Sequence, residues 1–453
     1  MKNIELLAGA AKIKTTPPLG TRINGDFITH YAIDIHDDLY ARALILQQGD
    51  VRLAIIVVDI CVMPKEFLDD VKSRITRHTN IPYTHIMISA THTHAAGSVA
   101  DVHLGSADPA YTVKLPELIL KSVLVAITKL KPATVGFGKI IAPEHLLCRR
   151  YFMDDAYQPM NPVTGMVDEI KTNPAGCEDL IRHSQNVVDP ELNYLAVKGQ
   201  DNRWISLIAN YSLHYVGDWP NGTISADYFG VFSNQITALL EADDTFVGMM
   251  SNGTSGDVNI WDFQNTGRYP SAYFDKSALI GTDLANRVFE SFANIQWQTN
   301  PQLSALYEEV TLPVRKPTKE VLLAAAETMK HAEYENIVVD QDGLTQIYAR
   351  EQHLLNNFPN EKDCPVQAFR IGSGVIGALA GEFFSETGLH LKAEITSSIY
   401  FTVTMANGNV GYVPPFHEMK MGGYETWRCR YSCMDDTAEH RVRNKLIELV
   451  ESI

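Results

Sequence analysis

Six short apolar runs fix the kind of fold open to this chain. They lie at 53–58, 85–89, 204–209, 246–250, 375–380 and 399–405, and are rich in Ile, Val and aromatic residues. Runs this short and this composition read as buried strands rather than helices. Between them, apolar residues recur at helical spacing over 115–130, 231–241, 319–333, 386–395 and 436–453. The last of these sets Val442, Leu446, Leu449, Val450 and Ile453 on one face. Strand and helix in alternation predict an α/β fold, with mixed or parallel β-sheets flanked by helices.

No repeat, charge block or Gly/Ser-rich linker divides the 453 residues. A single large catalytic domain over 1–453 is therefore expected, with 436–453 as its C-terminal helix. The 54 Asp and Glu against 38 Lys and Arg give a net charge of −16. Such a chain repels phosphates on average, so nucleic acid and anionic membranes are not expected as main partners; a small-molecule substrate is. Glu5, Lys12 and Lys14 interrupt the opening stretch, and no run approaches about 18 apolar residues. Neither a signal peptide nor stable membrane insertion is expected. The six cysteines are dispersed, with only Cys429 and Cys433 close together. These features together point to a cytoplasmic, reducing location.

The residues that follow the apolar runs say more about function. The first run ends at Asp59, and the second leads into Thr91-His92-Thr93-His94. The third leads to His214, the fourth to the segment from Ser251 to Asp257, the fifth to Glu382 and the last to Tyr412. Polar, ligand-capable groups thus gather at the C-terminal ends of several strands, the edge where α/β sheets build sites. In an extended segment His92 and His94 would face one side. Two such imidazoles suit either shared metal ligation or a hydrogen-bonded pair, and the motif alone leaves both open.

The set as a whole resembles the N-terminal catalytic domain of the neutral/alkaline (non-lysosomal) ceramidase family. The resemblance rests on the stretches from Ser89 to His94, from Asn210 to His214, from Ser251 to Asn259 and from Ala380 to Glu382. Tyr412 with Tyr424 and the opening segment 9–20 extend it over most of residues 8–430. It implies one zinc ion held by His92, His214, Glu382 and Tyr412, with His94 near the reacting centre. Arg149 takes the place of the substrate-contacting arginine, and Tyr424 that of the tyrosine that polarises a carbonyl. A zinc ion with an open position lowers the pKa of its water to about 7 and polarises a carbonyl, which is chemistry for cleaving amides or esters. Two His, one Glu and one Tyr would also accept manganese or iron.

Three departures from the family pattern shape the expectation. Asn259 stands where the family carries an essential serine, and an amide can donate a hydrogen bond to an oxyanion but cannot supply an alkoxide. Either water attacks directly, or Ser251, Thr254 or Ser255 has taken over. The loop after His94 and the segment 153–189 differ from the family, and no C-terminal immunoglobulin-like domain is expected. The expected activity is hydrolysis of an amide bond in an N-acyl substrate smaller or more polar than ceramide. An ester or lactone hydrolase with the same metal site, or a catalytically silent metal-binding relative, are the alternatives.

Overall fold

The computed structural model describes residues 5–453 except Asn24 and Ser398. The first four residues of the stretch read for a leader lie outside the described residues. Eight strands form the larger sheet: β1 (Leu6–Lys14), β2 (Tyr40–Gln48), β3 (Val51–Val58), β4 (Ile86–Ala90), β5 (Lys131–Ile141), β6 (Glu191–Gly199), β7 (Trp204–Tyr211) and β8 (Val247–Asn252). Their order in space is β8-β7-β6-β5-β1-β2-β3-β4. The second sheet runs β9 (Leu303–Pro313), β10 (Glu361–Ile371), β11 (Gly374–Leu379) and β12 (Ile399–Val403), in sequence order.

Both sheets are mixed. Neighbours pair antiparallel except at three places: β3 with β4, β7 with β8, and β11 with β12. Each parallel pair is joined by a crossover helix: α1 (Lys65–Thr79), α3 (Asp227–Leu239) and α7 (Ser385–Glu394). All six apolar runs of the sequence are strands in these three pairs. The antiparallel strands between them carry buried polar residues such as Arg42 and Asn193, and do not read as continuous apolar runs.

The inner faces of the two sheets pack on each other. Leu44, Ile55, Val57, Met87, Leu195 and Met249 of the larger sheet share one core with Phe369, Ile371, Ile376 and Phe401 of the smaller. The outer face of the larger sheet is covered by α1, α2 (Pro109–Thr128), α3 and α4 (Asp275–Ser291). The smaller sheet is covered by α7 and by α9 (Ala438–Ser452), which buries Val442, Leu446, Leu449 and Val450 as its sequence face predicts. Burial of side chains like these contributes roughly 1.5–3 kcal/mol each. Three further helices, α5 (Lys319–Met329), α6 (Gln341–Asn356) and the short α8 (Phe416–Met421), complete the helices named here.

One boundary differs instructively. The pattern over 115–130 suggests a start beside Pro116, yet α2 begins at Pro109 and carries Pro116 within it. Asp108 supplies the cap, its side chain accepting the Tyr111 N–H at 3.0 Å. Pro109 sits where its missing N–H costs nothing. Among the described residues no helix is long and apolar enough to cross a membrane.

Candidate active site

The three parallel pairs deliver their C-terminal ends to one place. His92 follows β4, His214 follows β7, and Glu382 follows β11. The extended i, i+2 geometry expected for His92 and His94 is corrected here: His92 has φ 73°, in the left-handed region. A non-glycine residue there is sparsely populated. It is held by its N–H donating to Ile60 O at 2.9 Å, and by its ring. The ring Nδ1 lies 2.8 Å from the Cys61 carbonyl, so Nδ1 donates there and, in the neutral ring, Nε2 carries the lone pair.

That Nε2 is the hub of the site. It lies 3.2 Å from His214 Nε2, 3.3 Å from His94 Nε2 and 3.5 Å from Glu382 Oε2. His214 is oriented the same way, its Nδ1 3.2 Å from Ser255 O. Ligand atoms of His92, His214 and Glu382 all fall within 4.8 Å of one another, and all three residues are buried. Glu382 Oε2 is buried without a hydrogen-bond partner, and a buried carboxylate oxygen left so is costly. Glu382 pairs in parallel register with Tyr412, its N–H donating to Gly411 O at 2.9 Å. Both side chains line a pocket of about 20 Å³ with Cys61, His92, His94 and Tyr424, which is room for one ion or one water.

Electrostatics say the same. Burial disfavours a proton on His92, but Cys61 and Glu382 outweigh it and hold His92 well above the ordinary imidazole range. Burial, then the charges of His92 and Arg149, holds His94 and His214 well below it. The same carboxylate charge that favours a proton on His92 would favour a divalent ion at that position. The donor set fits such an ion: two imidazole nitrogens, an orphaned carboxylate oxygen and an adjacent phenol. A second grouping, Cys61 with His92 and His94, shares the hub. Its thiol, however, lies 3.9 Å from the His92 nitrogen already bonded to the Cys61 carbonyl.

On its open side the pocket meets a cavity of about 280 Å³, lined by His94, Arg149, His214, Tyr215, Tyr412 and Tyr424 among others. His94 stacks on Tyr215, with ring centroids 3.6 Å apart. Tyr424 meets Tyr412 edge-on at 5.4 Å. Burial, then Glu382, pushes both phenols above their ordinary range, so with protein groups alone both are neutral donors. Arg149 is buried, and two of its nitrogens are committed: Nε to Glu425 at 2.8 Å, and Nη2 to Gly256 O at 2.6 Å and the Tyr412 hydroxyl at 3.1 Å. It therefore fixes Tyr412 as well as facing the cavity.

Other positions from the sequence reading are placed elsewhere. The Asn259 amide N–H donates to Asn173 Oδ1, and its carbonyl accepts the Trp261 N–H at 3.1 Å. It is Asn173 that faces the cavity. Ser255 donates to Asn252 at 2.9 Å and Ser251 to the Ala209 carbonyl at 3.0 Å, while Thr254 abuts Gly388 of α7. The Ser255 bond braces the turn after β8, the Ser251 bond ties β8 to β7, and the Thr254 hydroxyl is buried without a hydrogen-bond partner. Gly256 lets that turn approach, since a Cβ there would lie 2.8 Å from Glu382 O. Asp59 is buried and ion-paired with Arg42 at 2.6 Å, a structural role.

Glu425, Arg150 and Tyr215 were missed by sequence reasoning. Glu425 holds Arg149 and Arg150 at 2.8 Å each, and Arg150 also holds Glu418. Their only signal was adjacency to Tyr424, Arg149 and His214.

No family profile matches this chain, and no curated protein matches it. Solved structures do. A ceramidase described as complexed with C2 superposes with a TM-score of 0.72 at 15% identity, covering 99% of this chain and 75% of that one. The neutral ceramidase from Pseudomonas aeruginosa gives 0.72 at 16% identity, covering 99% and 74%. The chain has the fold of these ceramidases.

Proposed function

We propose that this chain is a zinc-dependent hydrolase that cleaves an amide bond in a small or polar N-acyl compound. The observation that carries the reading is the buried Glu382 Oε2, without a hydrogen-bond partner, set beside the converging Nε2 atoms of His92 and His214. His92, His214, Glu382 and Tyr412 would hold the ion. When bound, zinc supplies Lewis acidity to the attacking water and to the scissile carbonyl.

The remaining work falls to the chain's own side chains. His94, neutral and held on Tyr215, accepts a proton at Nε2 and returns it to the leaving nitrogen. Tyr424 donates its hydroxyl proton as a hydrogen bond to the carbonyl oxygen as negative charge develops there. Arg149 adds a fixed positive charge at the same edge of the cavity. Asn259 acts through Asn173, positioning a cavity wall. Ser251 and Ser255 are bonded elsewhere, and neither they nor Thr254 line the cavity, which favours direct attack by water over a serine nucleophile. An ester or lactone would meet the same groups.

The cavity of about 280 Å³ sits at the small end of ligand pockets and carries Asp26 and Lys171 on its lining. Both features favour a compact, polar substrate over a long-chain lipid. The experiment compares long-chain ceramide in mixed micelles with short, water-soluble N-acyl compounds on one preparation, with and without chelator. Chelator-sensitive turnover of the soluble compounds, at higher efficiency than ceramide, is expected. Ceramide turning over at least as efficiently as every soluble compound would overturn the substrate reading, and absence of any turnover would favour the catalytically silent alternative.

A further inference from the structure

A second group of ligand-type side chains lies where α7 meets α8. Glu386 and His390 stand four residues apart on α7 and so share a face. His390 Nε2 is 3.9 Å from Glu386 Oε1. From α8, His417 Nε2 reaches to 3.1 Å from Glu386 Oε2 and 3.4 Å from Glu418 Oε1. Ligand atoms of Glu386, His417 and Glu418 lie within 4.8 Å of one another.

Two carboxylates that converge on one imidazole nitrogen are a ligand set that a divalent cation can take, even though Arg150 already pairs with Glu418. The elements that present them are fixed. Glu418 is buried, with Oε2 held by Arg150 at 2.8 Å and Oε1 accepting from Gln185 at 3.0 Å. The two histidines have side chains 49% exposed, which gives an ion a path in from solvent. One imidazole nitrogen with two carboxylates forms a mixed N/O set of three, a type that zinc, cobalt and nickel take with water completing the shell, whereas magnesium and calcium prefer oxygen alone.

We propose that Glu386, His417 and Glu418 form a second divalent-metal site, for an ion of the zinc, cobalt or nickel class, with water completing the shell. Its position gives it a structural task. Helix α7 starts just after Glu382, and α8 starts just after Tyr412. An ion here ties together the two helices that follow two residues of the candidate active site. It also fixes Glu418, which leads through Arg150, Glu425 and Arg149 to the Tyr412 hydroxyl.

The test titrates full-length, metal-stripped protein with Co²⁺, read by calorimetry and by the visible absorption of the bound ion, with Mg²⁺ as the comparison. Wild type should bind two equivalents of Co²⁺, and Glu386→Gln and His417→Ala one each. His92→Ala should also bind one, with a spectrum different from that of His417→Ala. Circular dichroism checks that each variant is folded; the half-exposed His417 makes its removal tolerable. If wild type binds one equivalent that His417→Ala loses and His92→Ala keeps, the second site stands and the active-site reading falls. If Glu386→Gln and His417→Ala both retain the wild-type stoichiometry and affinity, or Mg²⁺ competes at equal concentration, the proposal is overturned.

Discussion

Replacing Glu425 with Gln removes a carboxylate shared by two buried guanidiniums. Oε1 accepts from Arg149 Nε at 2.8 Å, and Oε2 accepts from Arg150 Nη1 at 2.8 Å and from Thr172 at 2.7 Å. Arg150 would keep Glu418, so Arg149 bears the loss and retains only the neutral Gly256 carbonyl and Tyr412 hydroxyl. Gln preserves the shape and opens no cavity, so the cost is electrostatic. Leaving one member of a buried pair uncompensated costs about 3–5 kcal/mol. Unfolding entropy of about 2.1 cal/mol/K per residue over 453 residues comes to roughly 1 kcal/mol/K. The melting temperature should therefore fall by about 3–5 °C. Burial raises the Glu425 carboxyl pKa, but Arg149 and Arg150 outweigh it and hold it below its ordinary 4.5. A carboxyl lowered on folding stabilises fully above its unfolded pKa, and that stability is lost as pH falls through its folded value. The gap between wild type and variant should be full at neutral pH and close only below about pH 4.5. Scanning calorimetry from neutral to acid pH measures it. A variant melting within about 1 °C of wild type at neutral pH would refute the assignment of Glu425 as the charge that balances Arg149.

In a His417→Ala background, where only the proposed active-site ion would remain, chelation from a hundredfold excess over Kd should remove about 2.7 kcal/mol of apparent stability. His92→Ala or Glu382→Gln should abolish that response; an unchanged melting temperature on chelation would count against the ion. His94→Ala should lower turnover by about 10²–10⁴-fold with metal content retained; loss of the metal instead would make His94 a ligand. Gly25 has φ 148°, and a Cβ there would lie 2.4 Å from His94 Cγ. Gly25→Ala should therefore reduce kcat by displacing the His94 ring while metal stoichiometry stays constant, and unchanged kinetics would mean that the ring position is not critical. Asn259→Ser should give no gain in turnover, because position 259 faces Asn173; a rate increase would show that a hydroxyl there reaches the reaction.

The three parallel strand pairs were legible because strands buried on both faces become unbroken apolar runs, such as 53–58 and 246–250. Their polar endings pointed to His92, His214 and Glu382 for the same reason. The antiparallel strands were hidden: β9 carries Glu308 and Glu309 on an edge that meets water, and its pattern does not read as a continuous apolar run. The resemblance supplied Tyr412 and Tyr424, which look like packing aromatics by themselves. Neither route revealed Glu425. A buried acid between two arginines has no sequence period, and its partners lie more than 270 positions away. The i, i+2 argument for His92 and His94 reached the right pair through the wrong backbone, since a left-handed residue leaves no trace in side-chain periodicity.

The origins of the candidate active-site residues bear on how the molecule assembles. His92 and His214 are 122 positions apart, and Arg149 and Tyr412 are 263 apart. The two histidines follow strands of the larger sheet, while Glu382 follows a strand of the smaller one. A nascent chain that has folded only the larger sheet presents two imidazoles with no carboxylate between them. Closing contacts of such long range comes late and slowly in folding. On the proposed metal site, competence to capture an ion would thus arise only when the second sheet docks on the first, so a bound ion would record the completion of the fold.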